Sequence, residues 1–391
     1  MFCYVLSIVF LLWLVYVYTT FPRYPQSMPL RERFIFYISE IVTVPTFWKL
    51  ALDNIGLISL PHLCRFFASS PPIRLILPHG RPENRTLGGV SVTIFRPPAS
   101  NRDADHRPRG VVYLHGGGWY LGSIYSHGAV AAQVAVKAKA VVVFVNYRLS
   151  PEHIFPAAVD DCFDVTEAVV QQADELGIDP NRISTLGDSS GGGLVLSVAL
   201  RRRAERLRPL RAQILVFPIL QCVYFGFSSY SNDRTVLITK QMVTMAASLY
   251  VAGDLRLLEP LANGRVLSRN TAEELLNRRW ELGLSEDQLA RHSLDAPPSE
   301  FESALLDPSL LPLAAKSMHG FSPTLVITSS LDVLQSEAEL LAKRIRKAGG
   351  HVEEKSYEAP HSFFNYVGPY VGVDAAANAV DEIAAFLERN S

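Results

Sequence analysis

The stretch Thr185-Leu186-Gly187-Asp188-Ser189-Ser190-Gly191-Gly192-Gly193-Leu194, TLGDSSGGGL, decides the fold. The run RISTLG (182 to 187) reads as a buried strand, and a helix begins near Gly192. A G-x-S-x-G frame fits on Ser189 alone, because a frame centred on Ser190 needs glycine where Asp188 stands. A serine at a sharp strand-to-helix turn is held strained and exposed, and flanking glycines let neighbouring backbone approach. The helix N-terminus adds a positive field, and the Ser190 amide is placed to donate to an oxyanion; its backbone is used, not its hydroxyl. A phosphate-binding loop needs G-x-x-x-x-G-K-[ST], and no lysine follows Gly191, Gly192 or Gly193. A bare tight turn is the plain alternative.

A second glycine run, GVVYLHGGGWYLGS (110 to 123), also follows a buried strand. As a dinucleotide fingerprint it fails, since Leu121 stands where G-x-G-x-x-G needs its last glycine. As an oxyanion loop it succeeds. The amides of Gly116, Gly117 and Gly118 can turn toward one point without side-chain obstruction, Gly117 and Gly118 foremost. A nucleophilic serine also needs a base and a group that orients it. His361, in EAPHSFF, follows a strand-like run near the chain end, and Asp332, in TLVITSSLDVL, follows the penultimate strand. Side chains at such strand ends point into the crevice of an open sheet. The plain alternatives are an aspartate capping the next helix and a structural histidine; the joint occurrence of all four features, in order, favours the triad Ser189, Asp332 and His361.

From residue 89 onward β-branched runs alternate with helical ones. The runs are 89 to 95, 110 to 114, 140 to 145, 182 to 187, 212 to 217, 324 to 329 and 351 to 357, separated by helical stretches such as 156 to 174, 193 to 206, 335 to 347 and 374 to 388. Near-continuous apolar strands between helices predict an α/β fold with a mainly parallel sheet wrapped by helices. The rhythm breaks between about 220 and 320, where TAEELLNRRWELG and SEDQLARH read as helices. That segment reads as a helical cap inserted between two strands. The expected division is a core of 76–220 and 321–391 with a cap of 221–320.

The N-terminus differs in kind. Residues 2 to 18 carry no charge, and with Thr19 to Phe21 the run reaches the roughly 20 residues that span a bilayer. A cleavable signal peptide would want an early basic residue and a small-x-small site, and neither is present. The expectation is an uncleaved transmembrane signal-anchor at 1–21, followed by an arm, 22–75, whose helical segments cover an apolar pocket, lie on a membrane or simply pack. Arg23, Arg31 and Arg33 favour a cytosolic body, whereas the glycosylation sequon at Asn84-Arg85-Thr86 favours the opposite side. Both orientations stay open on the residues alone. Cys3, Cys64, Cys162 and Cys222 show no metal-type spacing and read as small apolar residues. With 37 Lys+Arg against 38 Asp+Glu, the formal charge of -1 gives no electrostatic reason for nucleic acid to bind.

HGGGW (115 to 119), NYRLSPEHIFPAAVDDC (146 to 162), GDSSGG (187 to 192), LDVL (331 to 334) and HSF (361 to 363) resemble the hormone-sensitive-lipase group of α/β-hydrolases, specifically the arylacetamide deacetylase and neutral cholesterol ester hydrolase branch. The likeness runs from about residue 75 to the C-terminus, and the anchor matches as well. It implies an α/β-hydrolase fold, the triad Ser189–His361–Asp332, and an oxyanion hole from the HGGG loop and the Ser190 amide. Tyr147, Arg148, Pro151 and Glu152 match a structural turn. The resemblance also implies a single-pass membrane protein with its catalytic domain in the lumen of the endoplasmic reticulum, in accord with the sequon. Two departures stand out: Asp332-Val333-Leu334-Gln335-Ser336-Glu337 replaces D-x-L-R-D-[DE], and Ser362 stands where glycine is common.

The expected activity is hydrolysis of apolar acyl esters, neutral lipid or xenobiotic, through an acyl-enzyme, with no metal or cofactor. Trp119 and Tyr120 are expected in the substrate pocket. Arylacetamide-type amide hydrolysis and a non-catalytic binding protein on the same fold are the alternatives.

Overall fold

The computed structural model describes residues 24–43 (except 26), 82–98, 107–231, 237–294, 299–368 and 372–390. The anchor at 1–21, the arm from residue 44 to 75, Cys3 and Cys64 lie outside the described residues. None of the described helices is long and apolar enough to cross a membrane.

Eight strands form one sheet: β1 (Glu83–Leu87), β2 (Val90–Phe95), β3 (Arg109–Leu114), β4 (Ala140–Val145), β5 (Ile183–Asp188), β6 (Gln213–Val216), β7 (Thr324–Leu331) and β8 (Val352–Pro360). Their spatial order is β1-β2-β4-β3-β5-β6-β7-β8. The first two pairings, β1 with β2 and β2 with β4, are antiparallel and the rest parallel. Strands β3 to β6 are buried along their whole length, as their apolar composition demands, because helices cover both faces. On one face Val112, Leu114 and Val143 pack with α3 (Ala157–Gln171), α4 (Ser190–Ala204) and α6 (Gln335–Lys347). On the other, Val111, Tyr113 and Phe144 pack with α2 (Ile124–Lys137) and α7 (Asp374–Arg389).

Strand β1 is absent from the sequence reading, since ENRTL is polar and has no apolar alternation. The signal lay just beyond it. Leu87 pairs with Val90 across Gly88 and Gly89, whose φ values of 56° and 78° make a two-residue hairpin turn. Asn84 sits exposed on this edge strand, with Oδ1 accepting from Thr93 Oγ1 at 3.0 Å.

Helix α1 (Leu30–Thr43) docks onto the segment that follows His361. Phe36 meets Tyr366 edge-on at 5.2 Å, and the buried Glu32 accepts the Asp374 amide at 2.9 Å. Between β6 and β7 the described elements are helices joined by loops, apart from one isolated bridge between Ser268 and Leu294, the longest helix being α5 (Lys240–Ala252). The expected helix over 271–283 differs in detail: Glu273–Arg279 is wound with wider i→i+5 bonds, so Trp280 N donates to Leu275 O at 3.0 Å. The two ends of this segment meet, Leu313 N donating to Leu220 O at 3.3 Å.

Candidate active site

Strand order creates the site before any side chain is considered. From β3 the chain moves to β4 on one side, and the neighbour on the other side is β5. Loops after β3 and β5 therefore open away from each other at the sheet's carboxyl edge, where crevices form. Leu114 pairs with Gly187, which brings the HGGG bend beside the Ser189 turn. A Cβ on Gly191 would lie 2.0 Å from Leu114 O, so only glycine allows this closeness.

Ser189 adopts φ 53° and ψ -124°, a conformation costing a non-glycine residue about 1–3 kcal/mol. The surroundings hold it there. Its amide donates to Val216 O at 2.9 Å, and its carbonyl accepts from Ile219 N at 2.9 Å and Gly192 N at 3.0 Å. Ser189 Oγ lies 3.0 Å from His361 Nε2, and His361 Nδ1 lies 2.6 Å from Asp332 Oδ2. All three side chains are buried. Asp332 also fills the role offered as its plain alternative, because Oδ1 accepts the Leu334 amide at 2.9 Å at the start of α6. The capping bond and the histidine bond use different oxygens, so they fix the carboxylate together. Phe217 packs 4.6 Å from the His361 ring.

The glycine loop turns through positive φ at Gly117 (120°), Gly118 (60°) and Trp119 (62°). Among the described residues the amides of Gly117, Gly118 and Ser190 have no hydrogen-bond acceptor. Gly116 differs and corrects the sequence reading: its amide donates to Asp188 Oδ1 at 3.1 Å, so it anchors the loop rather than facing a ligand. The Ser190 hydroxyl corrects it too. Oγ accepts from Trp119 N at 3.3 Å, which ties the loop to the elbow. Trp119 is buried and stacked on Tyr250 of α5 at 4.7 Å, so the pocket role expected of its ring gives way to packing. Tyr120 joins Met245, Ala246 and Leu249 of α5 in an apolar group beside the loop. A Cβ on Gly118 would touch Ala246 Cβ at 2.9 Å, which locates α5 directly over the bend.

Behind the loop lies a second polar cluster that the sequence reading missed. Asp188, buried, accepts from Tyr113 Oη at 2.8 Å and from Gly116 N, while Oδ2 lies 3.3 Å from His127 Nε2. His127 Nε2 is also 3.2 Å from Asn365 Nδ2, and Nδ1 is 2.7 Å from Ser126 Oγ. Burial alone would push the Asp188 carboxyl up; attraction from His127, its hydrogen bond and that of Tyr113 outweigh this and hold it below the usual carboxylate value. His115 lies between Tyr147 at 4.2 Å and Phe144 at 5.1 Å, both rings nearly parallel to it. Burial, with His127 nearby, pushes its pKa down to about 3, so it is a neutral packing residue near neutral pH. Tyr147 Oη donates to His115 O at 2.8 Å, and Arg148 holds Asp161 through its amide and guanidinium. The YRLSPEH turn thus supports the loop from below. One further acid, Glu337, is fully buried; its Oε2 accepts the Leu220 amide at 3.3 Å and Oε1 accepts from Tyr230 Oη at 3.4 Å. Burial foremost, with the Asp332 carboxylate nearby, pushes its carboxyl well up.

The model of a family described as alpha/beta hydrolase fold matches residues 111–276 and 284–365. Among curated proteins, arylacetamide deacetylase of Oryctolagus cuniculus is 29% identical over 299 residues, 72% of this chain and 74% of the relative. Carboxylesterase NlhH of Mycobacterium tuberculosis is 37% identical over 183 residues, 46% of this chain and 56% of the relative. Among solved structures, an esterase of Pyrobaculum calidifontis superposes with a TM-score of 0.65 at 27% identity, covering 88% of this chain and 97% of that one.

Proposed function

Because the chain belongs to the hormone-sensitive-lipase-like alpha/beta hydrolase family, as a carboxylesterase-type serine hydrolase acting on ester bonds, we propose that Ser189 is its nucleophile. His361 takes the serine proton as Oγ attacks the acyl carbonyl, and Asp332 holds the imidazole in orientation. The amides of Gly117, Gly118 and Ser190 stabilise the oxyanion, each such donor being worth about 2.7–4 kcal/mol in the transition state. The alcohol leaves with the proton from His361; water then attacks the acyl-enzyme by the same route reversed. The observation that carries this reading is the unbroken chain Ser189 Oγ, His361, Asp332 at 3.0 and 2.6 Å. Labelling with a fluorophosphonate probe tests it: wild type should react at Ser189 and Ser189→Ala should not. Equal reactivity would return the chain to the non-catalytic reading.

The substrate class we propose is an apolar acyl ester, neutral lipid or xenobiotic. Tyr120, Met245, Ala246 and Leu249 beside the bend support an apolar acyl group. A series of acyl esters from acetyl to long-chain tests it, and a flat response counts against it. Hydrolysis of aryl acetamides is a second reading, favoured by the arylacetamide deacetylases among the relatives; it uses the same groups against a harder leaving group. We further propose that residues 2–21 anchor the protein in a membrane with the body in the lumen of the endoplasmic reticulum, supported by the uncharged run and the exposed Asn84. Glycosidase-sensitive mass at Asn84 is the expected result.

A further inference from the structure

A cavity of about 220 Å³ lies against the C-terminal half of α4 and the first residues of β5 and β6. It is far from the chemistry: from Ser190 to Arg203 the helix advances about 20 Å at 1.5 Å per residue. Val198, Leu207, Leu210 and Phe321 form its apolar wall, Arg202, Arg203 and Arg206 contribute its charge, and among the described residues no carboxylate lines it.

The arginines are not equivalent. Arg202, 5% exposed, gives its terminal nitrogens to Glu167 and to the Arg208 carbonyl, but its Nε has no partner. Arg203 lies 5.1 Å over the Phe321 ring and donates only to the carbonyls of His319 and Ser317, at 2.8 and 2.9 Å. Neither Arg203 nor the exposed Arg206 has a carboxylate partner among the described residues. Burial pushes the Arg203 guanidinium down, so an anion arriving there would be favoured by relieving an uncompensated charge.

We propose that this cavity binds an apolar carboxylate, its carboxyl group against Arg203 and Arg206 and its hydrocarbon among Val198, Leu207, Leu210 and Phe321. Guanidinium forks match carboxylates. The apolar wall selects an anion with a hydrocarbon body over inorganic phosphate, and the volume, below the roughly 300–1,000 Å³ of drug-sized sites, selects a short one. Ester hydrolysis releases this kind of anion, and the link to the reaction rests on the function proposed above; binding itself does not.

The test is calorimetric titration of octanoate into the full chain with Ser189 blocked by a fluorophosphonate, or into Ser189→Ala if the probe does not react. Saturable octanoate binding is expected, weakened about tenfold or more by Arg206→Gln and by Arg203→Gln, with octanol binding much more weakly. Arg206 is exposed, so its substitution leaves the fold intact even if Arg203→Gln does not. Inorganic phosphate matching octanoate, octanol matching octanoate, an unchanged affinity in Arg206→Gln, or no saturable binding would each overturn the proposal. Failure to label Ser189 counts against the hydrolase reading alone.

Discussion

Two histidine–aspartate pairs flank Ser189, and they do different work. His361 and Asp332, 2.6 Å apart, end on the serine hydroxyl. His127 and Asp188, 3.3 Å apart, end on the Gly116 amide, so this pair shapes the backbone proposed to receive the oxyanion. In the proposed mechanism one pair moves a proton and the other holds a loop still. The contrast shows that a buried His–Asp contact is not evidence of proton transfer; what decides is the atom at its end.

The largest effect separates the pairs most cleanly. Ser189→Ala or His361→Ala should lower kcat on a short acyl ester by about 10,000-fold or more with little change in Tm; a loss under about tenfold would move the chemistry elsewhere. Asp332→Asn should cost up to about 10,000-fold, because the imidazole loses the partner that sets its tautomer. Asp188→Asn should cost about 100-fold, comparable with losing one oxyanion donor, in kcat with KM little changed; an equal change in both would mean that the pair acts on substrate binding.

The pH dependence of stability sharpens the same contrast. His115 has its pKa depressed from 6.5 to about 3, so the unfolded chain takes up a proton that the folded one refuses. Stability should therefore fall as pH drops from about 6.5 towards about 3, and His115→Phe should flatten that slope in thermal melts. The smallest effect belongs to Glu337, whose raised carboxyl contributes stability at low pH that is lost as pH climbs from about 4.5, the value of the free side chain. Glu337→Gln should keep activity within about twofold and remove that decline.

Legibility followed chemistry that repeats along the chain. AVVVFV at 140 to 145 coincides with β4, and QSEAELLAKRIRK coincides with α6, because each carries an unbroken apolar period. Ser189, Asp332 and His361 were readable since each follows a recognisable strand. The back pair was not: His127 lies inside α2, buried among alanines and valines, and nothing local marks it as the partner of an aspartate far along the chain. Its only clue was Asp188, a charge at the end of a buried strand, where an unpaired carboxylate would be costly. The engagement of Gly116 was hidden for the same reason, since glycines in a row look alike until a carboxylate selects one.

The short rung between Leu313 and Leu220 has a consequence for diversification. The described residues between them leave the core beside Leu220 and rejoin it beside Leu313, while Ile219, immediately before Leu220, grips the Ser189 carbonyl. Exchanging residues 221 to 312 for a foreign module would leave the backbone clamps on Ser189 in place, but the newcomer would have to supply again the Tyr250 ring that stacks on Trp119 and the Ala246 contact over Gly118.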